Sequence, residues 1–69
     1  MAISYNKLWK LLVDKKMSKA DLRKAVGMAP NTLTKMRKDE PVSLEVLIRI
    51  CQVLDCNIGD IMDVSKLPI

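Results

Sequence analysis

The sequence predicts an all-α domain built from five short helices. Three observations carry this expectation. No strand-like alternation of apolar and polar residues lasts more than a few positions. Hydrophobic residues make up 49% and charged residues 29%, with only two Gly and three Pro, the balance of a folded, helix-rich chain rather than a disordered one. Five helix starts can also be placed from cap chemistry and apolar spacing. At 69 residues the chain reads as a single domain, 1–69.

The first helix begins after Ser4, carries Leu8, Leu11 and Leu12 inward with Trp9 on the flank, and ends near Lys16. The second has Ser18 as N-cap and Asp21 three residues on, a capping-box variant. Leu22, Ala25 and Val26 are its inner residues, and Gly27 closes it, since Gly favours the left-handed C-cap. The third helix has Pro30 in its first turn, where Pro is favoured, and turns Leu33 and Met36 inward. Ala29 is a poor cap for it. The fourth starts after Ser43 and carries Leu44, Leu47, Ile48, Cys51 and Leu54. A short fifth helix follows Asn57, with Asp60 at its third position and Ile61 and Met62 packing back.

One regularity supports these starts. A hydrophobic staple joins an apolar residue before the N-cap to one five residues on. The pairs Ile3–Leu8, Met17–Leu22, Met28–Leu33, Val42–Leu47 and Cys56–Ile61 supply one for every helix. The tail 64–69 has too little pattern to place, and Pro68 argues against a helix there.

Composition narrows the function classes. There is no His, so His-based triads, His–zinc sites and imidazole bases are excluded. Paired carboxylates in catalytic spacing, Gly-rich phosphate loops and metal clusters are missing from the pattern, so an enzyme is not expected and no cofactor or metal is called for. Cys51 and Cys56 match no zinc spacing and read as buried core thiols. No signal peptide opens the sequence and no apolar run approaches the ~18 residues of a membrane span. The expected location is the cytoplasm, with no membrane partner and no evident small-molecule ligand.

Charge is more informative in its distribution than in its total of +4. Residues 1–38 hold ten Lys and Arg against Asp14 and Asp21, a net +8. Residues 39–69 hold Arg49 and Lys66 against six acids, a net −4. A field this lopsided fits a polyanionic partner. Lys7, Lys10, Lys15 and Lys16 could serve either that face or plain solubility.

The segment SKADLRKAVGMAPNTLTKMRK, about 18–38, reads as helix, turn at Gly27, helix. In a helix-turn-helix the second helix lies in the major groove of DNA, and its N-terminal residues meet base edges. Such a helix needs a polar outer face and nothing that repels phosphate. Between Asp21 and Asp39 no acid occurs, while Arg23, Lys24, Lys35, Arg37 and Lys38 all do. Asn31, Thr32, Thr34 and Lys35 carry groove chemistry: Asn pairs with adenine N6/N7, Lys reaches guanine O6/N7, and Thr offers a hydroxyl or a methyl. Trp9 and Tyr5 read as packing rather than stacking residues.

This segment resembles the Xre / Cro–cI family of λ-repressor-like helix-turn-helix regulators. Nearly the whole chain, Tyr5–Asp63, follows that pattern, including a fourth helix like SLEVLIRICQVLD and a final one like CNIGDIMDV. The resemblance implies a sequence-specific, double-stranded-DNA-binding transcriptional regulator acting as a repressor. It implies base reading by Asn31, Thr34 and Lys35, with Pro30 and Thr32 beside them. Phosphate contacts fall to Lys19, Lys38 and Ser43, with Arg37 and Arg23 nearby. Two departures stand out: Lys19 replaces a common Gln, and Pro30 replaces a polar reader.

Family members commonly dimerise on two-fold operators. Val46, Ile50 and Val53 run beside the presumed core stripe of the fourth helix, and Val64, Leu67 and Ile69 add apolar tail residues, so a weak homodimer through this region is expected. The competing function is a protein-interaction module of the same fold, an antitoxin or anti-repressor, for which the acidic second half gives the footing.

Overall fold

The computed structural model describes residues 3–64. The elements in order are β1 (Ile3–Ser4), α1 (Asn6–Asp14), α2 (Lys19–Val26), α3 (Pro30–Arg37), α4 (Leu44–Leu54), a 3-10 turn at Ile58–Asp60, and β2 (Asp63–Val64).

Side-chain caps start α2 and α4. Ahead of α1, Ser4 Oγ accepts the Asn6 N–H at 3.2 Å, but the helix starts one residue later than expected, with Tyr5 as an N-cap that makes no side-chain bond. Ser18 Oγ accepts the Asp21 N–H while Asp21 Oδ2 accepts the Ser18 N–H, both at 3.0 Å, so the capping box on α2 is complete. Ser43 Oγ accepts the Val46 N–H at 3.3 Å on α4. Ala29 provides no side-chain cap for α3, as expected.

The four α-helices end alike. Each is followed by a residue with positive φ: Lys16 (56°), Gly27 (75°), Asp39 (56°) and Asp55 (53°). The next N–H then reaches back to a carbonyl five residues earlier: Met17 to Leu12, Met28 to Arg23, Glu40 to Lys35 and Cys56 to Cys51. This is the Schellman closure, which satisfies carbonyls the helix leaves unpaired. Only Gly27 carries the sequence signal for it.

Three connections share one design. After α1 the chain runs Lys16-Met17-Ser18, after α2 Gly27-Met28-Ala29, and after α4 Asp55-Cys56-Asn57. A left-handed residue is followed by an apolar residue and then by the next cap. The middle residue both closes one helix and staples the next. All ten staple residues belong to the core or pack against it.

The core is Tyr5, Leu8, Leu12, Leu22, Val26, Met28, Met36, Leu47, Ile50, Leu54 and Ile61. On α2, Ala25 is exposed, so Leu22 and Val26 alone face inward. On α4 the inward stripe is rotated from the expected one. Leu47, Ile50 and Leu54 are buried, while Leu44 is 60% and Ile48 45% exposed. Cys51 and Cys56 are half-buried at the core's margin rather than inside it.

The fifth helix is a single 3-10 turn. Only five residues separate Asn57 from Asp63, where the chain must already lie beside its beginning. Ile3 pairs with Val64 and Ser4 with Asp63 in a short antiparallel ladder, which no alternation in the sequence announces. Lys7 Nζ clamps this closure, 3.0 Å from Asp63 Oδ1 and donating to the Gly59 carbonyl at 3.1 Å. The architecture is therefore mainly helical, with four α-helices rather than five. The tail residues beyond Val64, with Leu67 and Ile69, lie outside the described residues.

Candidate nucleic-acid interface

The turn between α2 and α3 sets the site. Gly27 at φ 75° donates its N–H to the Arg23 carbonyl at 2.9 Å, and Met28 follows into the core at 5% exposure. Buried Met28 and Met36 hold α3 by one side, with Leu33 half-buried. Asn31, Thr34, Lys35, Arg37 and Lys38 are left on the outside, with Pro30 at the exposed start of the helix. Thr32 is half-buried and lies at the edge of this face.

The side chains of Asn31 and Lys35 make no hydrogen bond among the described residues, so their donors and acceptors face solvent. Thr34 differs. Its hydroxyl donates to the Pro30 carbonyl at 3.1 Å, the back-bonding common to Thr in helices. In this arrangement Thr34 offers a base edge an acceptor lone pair and a methyl group, not a donor.

The cations of the motif are unpaired. Among the described residues the ion pairs are Lys7–Asp63 and Arg49–Glu45, and neither uses a cation of α2 or α3. Lys19, Lys24, Lys35, Arg37 and Lys38 are exposed, and Arg23 is half-buried along α2. Ser43 sits exposed at the N-terminus of α4, its oxygen engaged by the Val46 N–H.

Two contacts were not legible beforehand. Lys19 Nζ lies 4.4 Å from the centroid of the Trp9 ring, a cation–π contact between the first turn of α2 and the flank of α1. Trp9 and Lys19 are separated by a turn whose path no spacing rule encodes. Tyr5, almost fully buried, ties the N-terminus to the loop after α3. Its N–H donates to Asp39 Oδ1 at 3.1 Å and its hydroxyl to the Glu40 carbonyl at 2.9 Å. Burial pushes the Tyr5 phenol above its ordinary range, with the Asp39 charge adding to the same direction. Its ring is not available to a base.

The dimer candidates need correction. Ile50 is 0% exposed and belongs to the core, so it cannot present a surface. Val46 is half-buried and Val53 is 41% exposed on the far flank of α4. The apolar residues that do reach the surface together are Leu44 and Ile48, one turn apart, with Ile58 exposed on the following turn. Which part of an over-apolar helix faces inward depends on its neighbours, not on its own sequence.

The described residues hold no group of three or more metal-ligating side chains, and no helix is long and apolar enough to cross a membrane.

Comparison with known proteins agrees with this geometry. No curated protein matches the chain. A crystal structure of the transcriptional regulator VanUg (Form II) is 54% identical, with a TM-score of 0.87 over 88% of this chain and 81% of that one. Residues 7–66 match the model of the Cro/C1-type helix-turn-helix DNA-binding domain. Because that match spans most of the sequence, the chain belongs to the Cro/C1-type helix-turn-helix family.

Proposed function

We propose that this chain is a transcriptional regulator that reads double-stranded DNA with α3 in the major groove. The observation that carries the reading is the outer face of α3. It presents Asn31, Thr34 and Lys35 without competing partners for Asn31 and Lys35, flanked by unpaired cations and free of carboxylates from Leu22 to Lys38. The likeness to a protein described as a transcriptional regulator supports the same function.

In this reading Asn31 and Lys35 discriminate bases by hydrogen bonds, and Thr34 by its methyl and acceptor oxygen. Pro30 and Thr32 shape the edge of the contact. Lys19, Arg23, Arg37, Lys38 and the Ser43 hydroxyl hold phosphates and fix the register, which carries no sequence information by itself. Repression follows if the bound domain occludes a promoter. A location in the cytoplasm, beside the DNA, is part of the same proposal.

Selection from random duplexes at defined salt tests it. An enriched motif is expected. Asn31→Ala should then cost about 1–3 kcal/mol on the best site and relax preference at one position, and Lys38→Ala should weaken all sequences alike and lower the salt slope by about one unit. No enriched motif together with no salt dependence would move the function to protein binding.

A homodimer on a two-fold site is the second part of the proposal. Leu44, Ile48 and Ile58 replace Ile50 as the surface for it. Ile48→Asp should abolish self-association on DNA while leaving the monomer folded. Sedimentation showing a monomer at high micromolar concentration, with and without operator DNA, would remove this part.

A further inference from the structure

The closure of α4 joins two cysteines. Asp55 takes φ 53° and the Cys56 N–H returns to the Cys51 carbonyl at 3.0 Å. In a Schellman closure these two positions commonly bring their side chains together. The other helix ends place Met17 with Leu12, Met28 with Arg23 and Glu40 with Lys35 at the same two positions. Only at α4 are both residues thiols. An apolar pair would serve the helix end equally well, so the capping role does not explain the chemistry.

Four further features bear on that chemistry. The backbone bond keeps the two Cα atoms within roughly the 4.4–6.8 Å that a disulfide spans. The acidity of the Cys56 thiol is weakened by burial first and by the neighbouring Cys51 thiol next. Both cysteines are half-buried and line one open groove with Ile48, Gln52, Asp55 and Ile58, so a small reagent can reach them. The Lys15 ammonium acts on Cys56 from the other side, in the direction that favours a thiolate.

From this arrangement we propose that Cys51 and Cys56 form a redox modification site, a thiol pair that closes to an intramolecular disulfide by exchange with a small-molecule disulfide. One thiol loses its proton and attacks the reagent's sulfur. The reagent's S–S bond breaks, and one of its halves leaves as a thiolate and takes up a proton. The second cysteine, as thiolate, attacks the mixed disulfide and expels the other half. Two protein thiols are oxidised to one disulfide, and one small disulfide is reduced to two thiols. Disulfides of this sort in reducing compartments are usually transient and sensing rather than structural. The site does not depend on base reading by α3, since it lies at the far end of α4 from Ser43, but its groove shares Ile48 and Ile58 with the proposed dimer surface, so the reagent reaches it in the monomer.

Oxidised glutathione is the probe. The full-length protein is reduced, exposed to it under native conditions, quenched by alkylation and cut with trypsin. The peptide 50–66 contains both cysteines. It should lose two hydrogens, take up no alkylating agent and come from a monomeric chain. Cys51→Ser should instead gain one glutathione and keep it. Closure should also be faster in the folded protein than in concentrated urea. The oxidised protein should melt at a higher temperature than the reduced one, since the bridge constrains the unfolded chain. The proposal is overturned if the wild type retains glutathione on either cysteine, if it cross-links between chains, or if it stays reduced where Cys51→Ser reacts. Closure no faster than in urea, or a lower melting temperature on oxidation, would overturn it equally.

Discussion

The contact between Lys19 and Trp9 joins the helix-turn-helix to the helix behind it, and it has a measurable sign. Lys19 opens α2, where the helix dipole presents partial positive charge, so an ammonium there is locally disfavoured. The ring face of Trp9, 4.4 Å away, offsets this and restricts where the ammonium rests. At an exposed site such a contact is worth about 0.5–1 kcal/mol. If the ring holds the ammonium where a phosphate lies, that energy appears in DNA affinity as about a 2–5-fold effect. Trp9→Leu keeps an apolar side chain against the core and should weaken binding by that factor. In a Lys19→Ala background the same change should do nothing, and Lys19→Ala alone should reduce the salt slope by about 0.9. Anisotropy titrations of a labelled duplex over a series of salt concentrations measure all four proteins, with thermal melts confirming that each is folded. Additive effects of the two substitutions would refute the coupling. Tighter binding by Trp9→Leu would show that Lys19 must leave the ring to reach DNA, which reverses the argument.

Further expectations concern stability. Ser18→Ala removes the cap of α2 and should cost about 0.5–2 kcal/mol by denaturant titration. The Asp21 carboxyl is held below its ordinary range, first by the Ser18 N–H and then by the Ser18 hydroxyl. A depressed carboxyl contributes its stability above the unfolded value and loses it as pH falls through the folded one, so Asp21→Asn should flatten the acid limb of a melting-temperature profile; an unchanged limb refutes the linkage. Tyr5→Phe deletes the hydroxyl bond to Glu40 and should cost about 0.5–1.5 kcal/mol, with faster amide exchange in residues 38–42. Ile50→Ala should cost about 2–5 kcal/mol, while Val53→Ala stays within about 0.5 kcal/mol if the inward stripe of α4 is as described.

Helix starts were far more legible than helix ends. Ser18, Ser43, Pro30 and the staple pairs are local signals, because a cap acts within three or four residues of chain. The ends are local too, but Lys16, Asp39 and Asp55 adopt positive φ without being Gly, so their closures leave no mark in residue type. The rotation of α4 was illegible for a different reason. Its eleven residues LEVLIRICQVL hold eight apolar side chains, more than one stripe needs, and only the positions of α2 and the 3-10 turn packed against it decide between Ile48 and Ile50. The ladder Ile3–Val64 escaped for a third. It is two residues long on each side, below the length at which alternation can be seen. On α3 the inner residues Leu33 and Met36 and the polar outer face were readable, because a short helix with two apolar residues has one way to turn. What the outer face touches there was readable only in part: the bond from Thr34 to Pro30, which removes a donor from the groove, is not a property of residue type.

The charge asymmetry also gains a cause. Four of the six acids of the second half are engaged, while the Glu40 and Asp55 carboxylates have no partner among the described residues. Asp39 accepts the Tyr5 N–H, Asp60 accepts the Asn57 N–H, Glu45 pairs with Arg49, and Asp63 pairs with Lys7. In the first half Asp21 is likewise engaged by Ser18. The cations of α2 and α3 make no ion pair among the described residues. The two halves therefore differ in more than sign. Most of the negative charge is consumed where the chain turns and closes, and positive charge is left over where a helix faces outward. Neutralising an acid such as Asp60 would remove a turn contact without clearing a path to phosphate, whereas each motif cation can meet a phosphate without breaking an ion pair. That difference, rather than the net charge, is what makes the α2–α3 face suited to a polyanion.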